Sequence, residues 1–162
     1  MTQKRKDRFD LKSSRLLLAV EEGNLPSARA ALDSGELVDT RDLDGNTPLI
    51  RAAFLGNLDL IKVFLERGAD VNASNDIGWT ALHFTAQEDR HAAARALLSV
   101  NGVKIDAADA HGNTPLWRAV FSDARETMKV LIRGGADTKR KNKHGVSPAG
   151  LAESTDVVLP KP

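Results

Sequence analysis

The 162-residue sequence predicts an all-α repeat solenoid built from helix-turn-helix units of about 33 residues with short hairpin fingers. Two interlocked series of glycines support this prediction. The first series recurs at steps of 33, 34 and 33 residues and has the members Gly45, Gly78, Gly112 and Gly145. The second series opens a Gly-Ala-Asp motif at Gly68 and Gly135 and has a weaker relative at Gly35. The two series stay at a constant offset from each other along the sequence, which indicates a single repeated unit.

Each unit begins with a tight turn at a glycine of the first series. A hairpin turn of this kind needs a positive φ, which glycine adopts at the least steric cost. Two positions later, every unit has a hydroxyl side chain that can accept the free N–H groups of a helix start: Thr47, Thr80, Thr114 and Ser147. Proline follows in three of the four units, at the position where a missing N–H costs nothing. The pattern predicts a projecting finger followed by a first helix.

A second helix completes the unit. In residues 58–65, apolar side chains recur at steps of three and four residues, which is typical of one buried helix face. Gly56 ends the first helix, and Gly68 supplies the left-handed residue that closes the second. We expect the core between units to contain Leu49, Ala52, Ile61, Leu65, Leu82, Leu97, Leu116, Ala119 and Val130.

The motif Asp-x-x-Gly-x-Thr-Pro-Leu-x-x-Ala-Ala-x-x-Gly at residues 42–56, closed by Gly-Ala-Asp-Val-Asn at 68–72, resembles the ankyrin repeat. The resemblance covers one domain at residues 14–155, between a charged flexible leader at 1–13 and a C-terminal tail at 156–162. It implies an L-shaped stack, in which fingers and first helices form a concave face and second helices form a convex back. The five repeats are expected at about 14–41, 42–74, 75–108, 109–141 and, as a partial repeat, 142–155.

Two repeats depart from the pattern. The third has Ala81 in place of proline, Thr85 in place of alanine and Asp89-Arg90 at the turn between its helices, so we expect it to be the least regular. The fifth is followed after Asp156 by only six residues, two of them proline, which is too short for a second helix. Its apolar edge would be covered by residues 157–159 folding over it, by a partner, or by further chain in a longer native protein.

Composition narrows the class of function. The 23 basic and 22 acidic residues nearly cancel, so no bulk charge favours nucleic acid as the partner. The absence of cysteine excludes disulfides, thiol catalysis and thiolate zinc sites. No apolar run is long enough for a membrane span, and no signal peptide is evident. We therefore expect a cytoplasmic protein that does not bind membranes and is monomeric unless its incomplete C-terminal end pairs.

No set of residues qualifies as a catalytic, cofactor or metal site, and we expect a protein that is not an enzyme. His83 matches the histidine of the Thr-x-Leu-His motif, and the resemblance implies that it connects neighbouring turns by hydrogen bonds. His111 and His144 lie on equivalent fingers one repeat apart, about 8–10 Å, which is too wide for sharing one metal ion. Acidic pairs such as Asp42/Asp44 are interpreted as surface carboxylates on turns, without the burial that activates a general acid.

The concave face carries the candidate binding site. Residues that flank the finger glycine, and those that end the first helix, determine binding specificity in the family. The resemblance assigns this role to Leu43, Asp44, Asn46, Phe54, Leu55, Asp76, Ile77, Trp79, Gln87, Glu88, Ala110, His111, Asn113, Phe121 and Ser122. Only seven residues of the chain are aromatic, and three of them, Phe54, Trp79 and Phe121, fall in this set. Exposed apolar groups clustered on a groove indicate an interaction site, with Trp79 as its expected central anchor.

The sequence thus predicts a non-catalytic module that binds a folded protein partner through its concave face. An adaptor, an inhibitor or a sequestering factor fits this description, and so does a bacterial immunity or antitoxin-type protein. Three alternatives stay open. The aromatic side chains could instead pack over neighbouring fingers. An unrecognised ligand-modifying activity is the second alternative. The third is a basic patch that binds an acidic partner or nucleic acid, formed by Lys139, Arg140, Lys141 and Lys143.

Overall fold

The computed structural model describes residues 8–9 and 14–161, and it confirms the all-α repeat solenoid. The helices of the described residues are α1 (Arg15–Glu21), α2 (Leu25–Asp33), α3 (Pro48–Leu55), α4 (Leu58–Glu66), α5 (Ala81–Gln87), α6 (His91–Leu98), α7 (Pro115–Phe121), α8 (Arg125–Arg133) and α9 (Pro148–Thr155). First helices pack in the order α1, α3, α5, α7 and α9, and second helices in the order α2, α4, α6 and α8. The stack therefore has one layer of first helices and one of second helices.

The first helices begin where the hydroxyl residues predict. The side chains of Thr47, Thr114 and Ser147 accept the backbone N–H of the residue three positions later, at 3.3, 3.2 and 3.1 Å. Proline occupies the first turn of each of these helices. The cap and the proline act together at the helix start, where backbone N–H groups have no partner inside the helix. The cap side chain accepts one of these N–H groups, and proline has none to satisfy.

The core lies between successive repeats. Seven of the nine expected core residues are almost completely buried, whereas Leu65 and Val130 are half-buried. The third repeat keeps the turn between its helices without glycine, because Asp89 adopts a left-handed backbone with φ of +49°. Gly23 and Gly56 have the same left-handed conformation at the equivalent turns, with φ of +65° and +72°. Aspartate tolerates this region better than most residues, so the substitution preserves the turn.

The C-terminal edge of the stack is covered by its own chain. After α9, the Val157 N–H donates to the Ala152 carbonyl at 3.1 Å, and Val157 and Leu159 pack against the core. Val158 between them is exposed. Of the three ways to cover this edge, the structure shows the first, in which residues 157–159 fold over it.

At the other end, a two-residue strand β1 (Arg8–Phe9) pairs in parallel with β2 (Arg41–Asp42), so that Arg8 lies opposite Arg41 and Phe9 opposite Asp42. The rest of the predicted leader, residues 1–7 and 10–13, lies outside the described residues, as does Pro162. The boundaries of leader, domain and tail stay predictions.

Candidate functional site

The fingers of repeats two to five form one continuous row. The Asp76 N–H donates to the Asp44 carbonyl at 3.1 Å, and the same bond recurs from Ala110 to Ile77 and from Lys143 to His111, both at 3.0 Å. At Gly78, where φ is +82°, an added Cβ would lie 2.9 Å from the backbone nitrogen of Ala110. Glycine is thus required there both for the turn and for the close approach of the next finger. The hydrogen bonds fix the spacing of the finger tips.

Buried carboxylates shape two of these fingers. One oxygen of Asp42 accepts the N–H groups of Asp44 and Asn46, at 3.0 and 2.8 Å. Asp109 accepts the equivalent N–H groups of His111 and Asn113 two repeats later, and both aspartate side chains are almost completely buried. The interpretation of Asp42 as a surface carboxylate is therefore wrong, because the finger folds back over it and its N–H groups replace water.

An arginine of the following helix compensates each buried carboxylate. Arg51 contacts Asp42 at 2.7 Å and Glu21 at 2.6 Å, and Arg118 contacts Asp109 at 2.6 Å. Burial raises the pKa of Asp109, but the hydrogen bonds from Arg118 and from the finger outweigh it and hold that pKa below its ordinary value. Both carboxylates are engaged by an arginine and by finger N–H groups, so they position the fingers.

His83 joins repeat three to repeat four, which confirms the structural role expected of it. The Thr80 N–H donates to Nδ1 at 3.1 Å, and Nε2 lies 3.1 Å from the carbonyl oxygen of Asn113. A carbonyl can only accept, so the proton is on Nε2 and the imidazole is neutral. Desolvation of this fully buried ring lowers the pKa of His83 to about 4.

Five aromatic side chains form a continuous row across repeats two to four, which we call the aromatic row: Phe54, Phe84, Trp79, Trp117 and Phe121. Phe84 meets Phe54 edge-on at 5.8 Å and Trp79 at 4.8 Å between ring centroids. The Arg118 guanidinium lies 4.4 Å from the Trp79 ring and 5.4 Å from the Trp117 ring, and Trp117 stacks on Phe121 at 5.4 Å. A guanidinium over an aromatic face is a stabilising contact, so Arg118 joins the two halves of the row.

Exposure differs along the aromatic row. Its ends, Phe54 and Phe121, are 46% and 61% exposed, whereas the residues between them are half-buried. Trp79, expected as a central anchor, is half-buried beneath Arg118 and packs against Phe84. The alternative in which aromatic side chains pack over neighbouring repeats therefore describes Trp79, and it describes Phe54 in part, because Phe54 touches Phe84 of the next repeat. Phe54 and Phe121 nevertheless keep large exposed areas. Phe84 and Trp117 were not among the residues selected from the sequence.

A pocket of about 400 Å³ opens beside the exposed Phe54 end, between the fingers of repeats two and three. Five residues from the predicted set line it: Asp44, Asn46, Phe54, Asp76 and Ile77. The structure adds four that sequence reasoning did not select: Ile50, Arg51, Asn75 and Phe84. The pocket and the aromatic row share Phe54 and Phe84, so they form one surface.

The other predicted residues fall into three groups. Leu43, Leu55, Ala110 and His111 are exposed, and Gln87, Glu88 and Ser122 are half-buried. Asn46 and Asn113 are buried, and their side-chain oxygens accept hydrogen bonds from Asn75 and Asn142 of the next finger, at 2.9 and 2.7 Å. These two amides connect neighbouring fingers.

The basic patch lies at the last finger. Lys139, Arg140, Lys141 and Lys143 are all exposed, beside the rings of His111 and His144, which stack with 6.4 Å between centroids. Across residues 14–161, no group of three or more potential metal-binding side chains is assembled. No helix in the described part of the chain combines the length and apolarity needed to cross a membrane.

Comparison with known proteins decides the family. The family model "Ankyrin repeats (3 copies)" matches residues 3–75 and 73–142. The chain belongs to the ankyrin repeat family. Ankyrin repeats generally mediate protein–protein interaction and are generally non-catalytic, which agrees with the class of function predicted from the sequence.

Several relatives are much longer chains. A Caenorhabditis elegans homologue of transient receptor potential cation channel subfamily A member 1 is 33% identical over 72% of this chain and 10% of its own length. The human channel of that name is 26% identical, over 93% of this chain and 14% of its own length. Human ankyrin repeat domain-containing protein 63 is 30% identical, over 84% of this chain and 38% of its own length. This chain thus spans well under half of the length of these relatives.

Proposed function

We propose that this chain is a non-catalytic interaction module that binds a folded protein partner through its concave face, as an adaptor, an inhibitor or a sequestering factor. The observation that carries the proposal is the exposure of Phe54 and Phe121 at the two ends of the aromatic row, with Ile77 exposed on the finger between them. Large apolar side chains that stay exposed and are grouped on a concave surface are typical of binding sites.

The rigidity of this surface favours tight binding. The fingers are joined by backbone hydrogen bonds, and the middle of the aromatic row is held by Phe84, Trp79 and Arg118. A partner therefore meets side chains that are already ordered, and little conformational entropy is lost on binding. The exposed rings at the ends of the row supply the apolar area that association removes from water.

The test begins by capturing a partner with the intact chain and then titrates the purified partner against the double variant Phe54→Ala, Phe121→Ala. We expect the double variant to bind at least about thirtyfold more weakly, since truncated anchors commonly cost about 2 kcal/mol or more. Its melting curve should change little, because both rings are exposed. Leu37→Ala is the matched control: Leu37 is an exposed apolar residue in the loop after α2, and its loss should leave the affinity unchanged.

The basic patch is the second candidate, favoured by the exposure of all four of its cations. If the Phe54→Ala, Phe121→Ala variant bound like the parent while Lys141→Glu and Lys143→Glu abolished binding, the aromatic row would be the wrong site. The basic patch would then be the contact surface, and the partner would be acidic.

A further inference from the structure

We infer that the concave face recognises a projecting segment of the partner with an ordered charge pattern. An apolar side chain next to a basic residue would lie at repeats two and three, and acidic residues of the same segment would lie at repeats four and five. The inference rests on the proposed function and sharpens it, from a protein partner to the chemistry of the segment that docks.

The pocket between the second and third fingers fits the apolar side chain. Phe54, Ile77 and Phe84 supply its apolar walls, and its volume of about 400 Å³ is near the small end of ligand pockets, which start at about 300 Å³. A pocket of this size admits one large side chain and not a whole helix. Because Phe54 and Ile77 are exposed, an inserted side chain would remove apolar area on both walls from water.

The charge at this pocket favours a basic neighbour for that side chain. Asp44 lines it at the tip of the second finger and is exposed. Among the described residues of the lining, the one cation is Arg51, and its charge is already balanced by Asp42 and Glu21. The Asp44 carboxylate therefore gives this wall of the pocket negative charge, and a lysine or arginine beside the inserted side chain would complement it.

The opposite end of the finger row has the opposite charge. Lys143 is exposed on the fifth finger, and Lys139, Arg140 and Lys141 precede it. Within residues 14–161, none of these four side chains forms an ion pair, and the carboxylate of the fourth finger base, Asp109, is already paired with Arg118. Acidic residues of a partner would therefore meet uncompensated positive charge here.

The distance between the two ends sets the length of the segment. Neighbouring repeats pack at about 8–10 Å, so two to three repeat steps separate the pocket from the basic patch by roughly 20–30 Å. An extended chain covers that distance with about seven to nine residues. A free peptide of about 16 residues is thus long enough to reach both ends in an extended conformation.

The experiment selects peptides of about 16 randomised residues on the intact chain and measures the affinity of the enriched sequences. We expect an apolar residue beside Lys or Arg towards one end, and Asp or Glu towards the other. Asp44→Lys should weaken these peptides about three- to tenfold, and Lys141→Glu with Lys143→Glu should weaken them about tenfold, with larger losses at low salt. Lys62→Glu makes the same charge change on the exposed side of α4 and should leave the affinity within about twofold.

Three results would overturn the inference: enriched peptides without this charge order, an unchanged affinity of Asp44→Lys, or no enriched peptide at all. Binding of a single-stranded oligonucleotide that depends on Lys141 and Lys143, without peptide binding, would also overturn it. The proposed function is judged separately, on the Phe54→Ala, Phe121→Ala variant against a captured folded partner. It stands if that variant loses binding while the charge reversals do not.

Discussion

Repeats two and four differ from repeats three and five in how each finger is held. The first pair has an aspartate at the finger base, an asparagine four residues later and an arginine nine residues later: Asp42, Asn46 and Arg51, then Asp109, Asn113 and Arg118. The second pair has asparagine at the base and apolar residues at the other two positions: Asn75, Trp79 and Phe84, then Asn142, Val146 and Leu151. The carboxylate and the arginine occur together or not at all.

The difference shows which groups depend on one another. A carboxylate buried at the finger base needs a counter-charge, since desolvation would otherwise disfavour its charged form. An asparagine at the finger base is neutral and needs no counter-charge. Its amide N–H can also donate a hydrogen bond, which a carboxylate cannot do. Asn75 donates to Asn46, and Asn142 donates to Asn113, each in the preceding repeat. Charged and neutral repeats thus alternate, and each neutral finger donates to the charged finger before it.

The largest expected effect comes from breaking one charged repeat. Arg118→Leu leaves Asp109 buried without its partner, and we expect it to lower the free energy of unfolding by about 3–5 kcal/mol. Adding Asp109→Asn converts the repeat to the neutral type and should recover at least about 2 kcal/mol of that loss. Denaturant melts of the two single variants and the double variant measure the coupling. A loss in the double variant equal to the sum of the two single losses would show that the two residues are independent.

The next effect tests the junction between neutral repeat three and charged repeat four, which His83 forms. Its pKa is about 4 when folded, below the unfolded value, so the unfolded chain binds an extra proton between the two values. The contribution of His83 to the free energy of unfolding is therefore fully present above the unfolded pKa of about 6.5. It decreases as the pH drops towards 4, by about 2 kcal/mol between pH 7 and pH 5. His83→Gln should flatten this slope in denaturant melts, whereas the exposed His111→Gln should leave it unchanged. Equal slopes in parent and His83→Gln would refute the assignment.

A smaller effect comes from placing charge in a neutral repeat. Asn75→Asp removes the donor to Asn46 and sets a carboxylate where the residue nine positions later is Phe84 and not arginine. We expect a loss of about 1–2 kcal/mol at pH 7. The loss should shrink below about pH 4, where the new side chain becomes neutral. If Asn75→Asp were as stable as the parent at pH 7, the pairing of aspartate with arginine would not be a requirement of the fold.

The sequence predicts the parts of this molecule that are decided locally. Thr47 and Thr114 cap helices through residues three positions away, and Leu49 and Leu116 follow from the period of the helix, so both were predictable. The burial of Asp42 was not, because it depends on Arg51 in the next helix. The half-burial of Trp79 depends on Arg118, which belongs to the following repeat. A signal existed all the same: aspartate and arginine recur together in alternate repeats, and that coincidence is readable without a structure.

The smallest effect compares the turns between helices in repeats three and four, where Asp89 and Asp123 have φ of +49° and +50°. Helix α8 begins after Ala124, which has no side-chain oxygen to cap it, and the Asp89 carboxylate of the preceding repeat accepts the Thr127 N–H instead, at 2.8 Å. Within residues 14–161, the carboxylate of Asp123 pairs with the exposed Arg125.

Glycine would relieve the left-handed strain at both turns at a similar entropic cost in the unfolded chain. Asp123→Gly should therefore change the free energy of unfolding by less than about 0.5 kcal/mol, because an exposed ion pair contributes little. Asp89→Gly also removes a cap from a buried helix start, and it should be about 1 kcal/mol less stable than Asp123→Gly. Denaturant melts of the two variants, compared with each other, isolate this contact between repeats. Equal stability of the two would mean that Asp89 serves its own turn and does not cap α8.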